Sequence, residues 1–113
     1  MGFYNPHLVG KRFNANNIAP GTVGSGLDWG ITDGSGTFSP EAVYVLRTDD
    51  GANIMVKESG HAPNVLLLFE TGSEEYAWMN KIVGYAAGAP NDKGVHLDAW
   101  QVRVSNPTLQ IRC

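Results

Sequence analysis

Residues 41–58 constrain the fold more than any other stretch of the chain. Two runs rich in valine, isoleucine, tyrosine and leucine flank Asp50 and Gly51, and an Asp-Gly pair supplies the positive φ angles that a tight β-hairpin turn needs. A two-residue turn at this pair predicts that Val43 lies opposite Glu58. Because side chains alternate along a strand, one face would then carry Val43, Val45, Ile54 and Val56, and the other face Tyr44, Leu46 and Met55.

The composition favours an all-β chain of one domain. A length of 113 residues suits a single core, so we expect residues 1–113 to form one β-barrel domain, with residues 1–20 as a weakly patterned N-terminal segment. Fourteen glycines and six prolines against 17% charged residues indicate many turns and short strands. Long helices would need more leucine, glutamate, lysine and alanine.

Glycines interrupt the strand pattern of residues 21–32. A glycine inside a strand indicates a bulge, or a place where another backbone or a ligand comes close. The glycine spacing does not match a dinucleotide-binding or phosphate-binding loop, and no helix pattern follows it. We therefore predict a strand here without a nucleotide site, and residues 33–36 have the composition of a turn.

A second hairpin is predicted in the middle of the chain. Residues 64–71 and 76–83 have the composition of strands on either side of a loop, and their pairing makes Phe69 and Trp78 cross-strand neighbours that point inward. A helix over residues 74–83 is the competing interpretation, because that stretch contains several good helix formers.

The last third of the chain continues the all-β pattern. Residues 84–94 have the composition of a loop, residues 95–104 that of a strand, and residues 108–112 could add a terminal strand. Six to eight strands joined by short turns predict a small antiparallel β-barrel or a strongly curved sheet.

Charge and motif content disfavour several classes of function. The net charge is −3 and the basic residues are scattered, so we predict no contact with nucleic acid or an anionic membrane. The chain has no long apolar run and no leader pattern, which makes a cytoplasmic location the default expectation. The single cysteine, Cys113, cannot form an internal disulfide. The three histidines His7, His61 and His96 lack metal-ligand spacing, so we predict no metal site.

Four carboxylates belong to apolar strands or adjoin them, namely Asp28, Glu41, Glu58 and Glu70. A carboxyl group that faces a dry interior has a raised pKa and can act as a general acid or base near neutral pH. A salt bridge or an exposed position is the alternative for each of the four. We single out Asp28 and Glu41 as the candidate catalytic residues.

Aromatic side chains could line a pocket for a small apolar or aromatic molecule. Ring faces suit a planar ligand, and a side-chain amide can add a directed hydrogen bond. The candidate binding residues are Trp29, Tyr44, Tyr76, Trp78 and Asn80. Core filling is the alternative, because most interior side chains of a small barrel only fill space.

Three groups of residues together resemble one known family. They are Gly-x-Val-x-x-Gly-Leu-Asp-Trp over residues 21–29, Glu-x-x-Tyr-x-Leu-Arg-Thr-Asp-Asp-Gly-Ala-x-Ile over residues 41–54, and Phe-Glu-Thr-Gly with Tyr-Ala-Trp-Met-Asn and Val-Gly over residues 69–84. Their order and spacing resemble the family called domain of unknown function 3237 over roughly residues 10–104. The resemblance implies a small antiparallel β-barrel of lipocalin-like appearance, of a kind found in bacteria and fungi.

The same resemblance implies a function. Some fungal relatives act in secondary metabolism and close an oxygen ring, without a cofactor, by adding a hydroxyl group across an alkene. This chain would then be a cofactor-free cyclase, isomerase or lyase in which Asp28 or Glu41 moves a proton on an aromatic or polyketide-like substrate. The alternative is a non-catalytic barrel that binds a small ligand or serves a structural role.

We also predict a homodimer. Both faces of the hairpin over residues 41–58 are apolar, and a small sheet can bury only one of them in its own core. Family members usually carry an additional first strand, whose absence would leave an open edge here. A two-fold contact covers such a surface. Tyr44, Leu46 and Met55 are the residues expected at the contact, with the opposite hairpin face as the alternative.

Overall fold

A computed structural model describes residues 21–91 and 94–102. Their six strands form one antiparallel sheet in which each strand pairs with the next along the chain. The strands are β1 Gly21–Thr32, β2 Phe38–Thr48, β3 Asn53–His61, β4 Asn64–Glu70, β5 Val83–Asn91 and β6 Gly94–Gln101. The sheet curls into a half-barrel, which confirms the prediction of an all-β chain with a strongly curved antiparallel sheet.

The hairpin of β2 and β3 is confirmed, but its predicted register is wrong by one residue. Thr48 donates its backbone N–H to Ala52, and Gly51 donates to Thr48, so the loop has three residues rather than two. Gly51 has a φ of 94°, the left-handed conformation that this loop type requires of its last residue. The shift places Tyr44 opposite Val56.

A register shift of one residue moves every side chain of one strand to the opposite face of the hairpin. We call the buried face of the sheet the inner face. Its side chains are those of Ala42, Tyr44, Leu46, Ile54, Val56, Glu58, Val65, Leu67, Phe69, Ala86, Leu97 and Ala99. Val43, Val45 and Met55 lie on the opposite side, the outer face. The predicted grouping of Tyr44 and Leu46 with Met55 is therefore wrong.

The glycines of β1 have the role that their position in a strand predicts. The pairing with β2 shifts between Val23 and Gly26, which marks a bulge. Gly26 lies opposite Tyr44, and a Cβ atom there would lie 2.6 Å from the Tyr44 Cβ. Only glycine fits at this close approach. The predicted turn after β1 is also present, since Asp33 Oδ1 accepts hydrogen bonds from the backbone N–H groups of Ser35 and Thr37.

The predicted second hairpin is wrong. Residues Ala77–Lys81 form a short 3₁₀ helix instead of a strand, so Phe69 and Trp78 are not cross-strand partners. Strand β4 pairs with β5, which occupies most of the stretch predicted as a loop over residues 84–94. Met79 shows why the helix forms, because it carries the only fully buried side chain of that segment into the core.

The later part of the chain agrees with the prediction from the sequence wherever the structure describes it. Strand β6 lies within the predicted strand over residues 95–104, whereas residues 108–112 and the N-terminal segment 1–20 lie outside the described residues. No helix in the described part of the chain is long and apolar enough to cross a membrane.

Candidate functional site

Two carboxylates and a tyrosine come together on the inner face. The register pairs Asp28 with Ala42 and Ala42 with Glu58, so these three residues form one row across β1, β2 and β3. Tyr44 follows two residues after Ala42 and shares its face. Ala42, the smallest of the three, lies between the two residues that carry the carboxyl groups.

Tyr44 and Glu58 form the buried half of this group. Tyr44 is 4% exposed and Glu58 is 5% exposed, and their side chains are hydrogen-bonded. Burial raises the pKa of the Tyr44 phenol well above its ordinary value, and the neighbouring Glu58 raises it further. The phenol therefore stays protonated and donates its hydrogen bond to the carboxyl group.

Glu58 is a carboxyl group that titrates near neutral pH. Burial raises the pKa of Glu58 from 4.5 to about 7, the hydrogen bond from Tyr44 lowers it, and the nearby negative charge of Asp28 raises it. An acid with this pKa is present in both forms around pH 7, so it can give a proton as readily as it can take one.

Each of the two carboxyl groups has one buried oxygen atom that makes no hydrogen bond within the described part of the chain. Asp28 Oδ2 and Glu58 Oε2 have no hydrogen-bond partner among the described residues. A buried polar atom without a partner costs free energy and is uncommon in folded proteins. These two oxygens are therefore the atoms of the inner face that are best placed to bind a polar group of a ligand.

The other candidate acid, Glu41, lies elsewhere. It pairs with Ser59 on the outer face, where it is exposed and accepts a hydrogen bond from Ser59 Oγ at 2.8 Å. Trp29 lies opposite Glu41 in β1 and is 54% exposed on the same outer face. The structure therefore does not bring Glu41 or Trp29 together with Asp28, and Glu58 has the buried position predicted for Glu41.

The remaining predicted binding residues have structural contacts. The Tyr76 hydroxyl donates to Asp50 Oδ2 at 2.6 Å and so attaches the segment before the 3₁₀ helix to the β2–β3 loop. Asn80 makes two hydrogen bonds with the backbone of Thr71, at 2.8 and 2.9 Å. Trp78 is half-buried and packs against the core. Of the five, only Tyr44 lies beside the two inner carboxylates.

The sequence contained a signal for Glu58, but the assumed register concealed it. With a two-residue turn, Glu58 and Tyr44 would lie on opposite faces, whereas the three-residue loop places both on the inner face. Within the described residues, no group of three or more histidine, cysteine, aspartate or glutamate side chains could hold a metal ion.

Comparison with known proteins gives relatives of the same architecture. The chain is 39% identical over 83 residues to the hydroalkoxylation enzyme phnH of Penicillium herquei, and the match covers 73% of this chain and 55% of that relative. This chain thus spans about half the length of the curated relative. The structure also resembles that of an enzyme from Penicillium herquei, with a TM-score of 0.67 and 37% identity over 77% of this chain and 65% of the other.

A bacterial structure agrees with the fold. A β-barrel-like protein from Acinetobacter baumannii superimposes with a TM-score of 0.69 and 27% identity over 74% of this chain and 68% of the other. The model of one family, described as protein of unknown function (DUF3237), matches residues 7–102. That match covers most of the chain, and the chain therefore belongs to this family.

Proposed function

We propose that this protein catalyses an intramolecular hydroalkoxylation, with Glu58 as the proton donor, Asp28 as the proton acceptor and Tyr44 as the residue that positions Glu58. The observation that carries the proposal is the row of Asp28, Ala42 and Glu58, in which each carboxyl group has one unpartnered buried oxygen. The similarity to the hydroalkoxylation enzyme phnH supports the reaction class.

The reaction needs one acid and one base on opposite sides of a small gap. The acid adds a proton to one alkene carbon, and the electron pair of the π bond forms the new C–H bond. The substrate hydroxyl then attacks the adjacent carbon, forms the C–O bond and loses its proton to the base. The product is an isomer of the substrate, so the reaction consumes neither an oxidant nor a reductant.

The environments of the two carboxyl groups support this division of roles. Glu58 is the more deeply buried group, its pKa is about 7, and it therefore keeps its proton over part of the neutral range. Asp28 is half-buried in β1, where it pairs with Ala42 on the adjacent strand β2. A negative charge on Asp28 also stabilises the cation that forms when the alkene is protonated.

A direct test uses ortho-methallylphenol, a hydroxyaryl alkene that gives a dihydrobenzofuran on ring closure. In D₂O the exchangeable proton of Glu58 becomes deuterium, so the cyclised product should carry one deuterium in a methyl group. Mass spectrometry and NMR measure the product against a protein-free control. Ring closure no faster than in the control, or a product without deuterium, would contradict the proposal and favour a non-catalytic binding or structural role.

A further inference from the structure

The inner face carries two negative charges that the described part of the chain does not neutralise. Asp28 and Glu58 lie in one row, and the negative charge of Asp28 acts on the Glu58 carboxyl group. The lysines and arginines of the described residues are all exposed and lie elsewhere, with Arg47 and Lys57 on the outer face and Lys81 in the 3₁₀ helix. The inner face therefore attracts a positive charge and repels an anion.

The two acids also have oxygen atoms that are placed to accept hydrogen bonds. Glu58 is 5% exposed, and the hydrogen bond from Tyr44 leaves its Oε2 atom without a partner in the described part of the chain. Asp28 Oδ2 is likewise buried and has no partner there. A buried carboxylate is stabilised by a group that brings a positive charge and a hydrogen-bond donor together. A protonated amine has both properties.

We propose that Asp28 and Glu58 bind a protonated amine, whose N–H group donates to one of the two unpartnered oxygens and whose charge both carboxyl groups stabilise. This inference rests on the site of the proposed function, but not on turnover. Protonation of the alkene puts a positive charge on the adjacent carbon, and an ammonium nitrogen carries the same charge in a stable molecule. An amine shaped like the substrate therefore resembles the cation that forms during the reaction.

Two phenols form a matched pair of ligands. In protonated 2-(dimethylaminomethyl)phenol, the nitrogen takes the position of the cationic carbon that ortho-methallylphenol forms on protonation, and it carries the same two methyl groups. In 2-isobutylphenol an uncharged C–H group stands in place of the N–H group. The two molecules bury nearly the same apolar surface, so a difference in affinity reports the charge.

The ionisation of Glu58 makes the affinity for the amine depend on pH. The charged and titratable groups that face Glu58 in the described structure are Asp28 from β1 and Tyr44 from β2, whereas its partner on β4 is the apolar Leu67. Glu58 gains its negative charge around pH 7, and the amine stays protonated through that range. Affinity for the amine should therefore rise between pH 5.5 and 7.5, while affinity for 2-isobutylphenol stays nearly constant.

Isothermal titration calorimetry of the parent chain with the two phenols tests the inference. At pH 7.5 the amine should bind at least about tenfold more tightly than 2-isobutylphenol, and its own affinity should fall about fivefold or more at pH 5.5. Glu58→Gln should remove the dependence on pH, and Asp28→Asn should weaken binding of the amine more than binding of 2-isobutylphenol. Glu41→Gln makes the same change on the outer face and should retain both affinities.

The binding measurement separates this inference from the proposed reaction. An amine that binds no more tightly than 2-isobutylphenol at pH 7.5, or whose affinity does not rise with pH, would overturn the inference even if the chain closes the ring of ortho-methallylphenol. Preferential and pH-dependent binding of the amine by a chain that does not close the ring would support the inference and contradict only the proposed reaction.

Discussion

Asp28 and Glu58 flank Ala42 in one row of the inner face. Beside this row the carboxyl group of Glu58 has a pKa of about 7 and the phenol of Tyr44 is buried. Position 42 lies between the two residues that carry the carboxyl groups, so a larger residue there would stand between them.

The position of Ala42 between the two carboxyl groups gives the first prediction. Ala42→Val should lower kcat/KM for ortho-methallylphenol at least tenfold, mainly through a higher KM, because the added methyl groups occupy the proposed substrate position. Ala86→Val is the matched control, since Ala86 is also fully buried on the inner face but lies in a different row. Both variants should lose about 1–3 kcal/mol of stability through overpacking. Equal activity of the two variants would show that the substrate does not bind beside position 42.

The titration of Glu58 can be followed directly. Carbon-13 NMR of the labelled side-chain carboxyl groups should show one glutamate with a pKa near 7. Asp28→Asn should lower this pKa, because it removes a neighbouring negative charge, and Tyr44→Phe should raise it, because it removes a hydrogen bond to the ionised form. A pKa of Glu58 at the ordinary value would mean that the group is not buried as described.

The same titration makes stability depend on pH. The pKa of Glu58 is about 7 in the folded chain and near 4.5 when exposed, so the folded state holds this proton more tightly. The stabilisation that this proton gives the folded state is fully present below pH 4.5 and is lost as the pH rises through 7. The loss lowers the unfolding free energy by about 3 kcal/mol. Urea unfolding between pH 4 and 8 should show this loss of unfolding free energy in the parent chain but not in Glu58→Gln. Unfolding free energies of the two proteins that change with pH in parallel would contradict the prediction.

The close approach of β1 to Tyr44 gives another prediction. Gly26→Ala places a Cβ atom 2.5 Å from the Val43 carbonyl oxygen and 2.6 Å from the Tyr44 Cβ, so the backbone of β2 must move and the chain should lose about 1–3 kcal/mol. Gly72→Ala is the control, because no atom lies within 4 Å of the added Cβ there. Thermal unfolding measures both. Equal melting temperatures would show that β1 does not lie this close to Tyr44.

Local composition predicted much of the sheet, but not the details that build the site. The bulge before Gly26 and the loop at Gly51 follow from glycine chemistry, which acts within a few residues. The hairpin register depends on whether the loop has two or three residues, and both loop types accept an Asp-Gly sequence. That single choice separated Tyr44 from Glu58 in the predicted register and joins them in the structure.

The error in the second predicted hairpin has its cause in tertiary packing. Residues 76–83 contain aromatic and β-branched side chains that are typical of strands, yet Ala77–Lys81 form a 3₁₀ helix that buries Met79 in the core. Strand β5 then pairs with β4 although its sequence, Val-Gly-Tyr-Ala-Ala-Gly-Ala-Pro-Asn, contains residues typical of a loop. Small residues are accepted there because the inner face at Ala86 is already filled by its neighbours.

The most direct test of the proposed function compares three conservative variants in one assay. Glu58→Gln and Asp28→Asn keep the size of each side chain but remove its proton chemistry, whereas Glu41→Gln makes the same change on the outer face. With ortho-methallylphenol at pH 6.5, the first two should lower the rate of ring closure by roughly 10²–10⁴-fold, and Glu41→Gln should retain the rate of the parent chain. Rates for Glu58→Gln and Asp28→Asn that equal the parent rate would contradict the assignment of acid and base to the inner face.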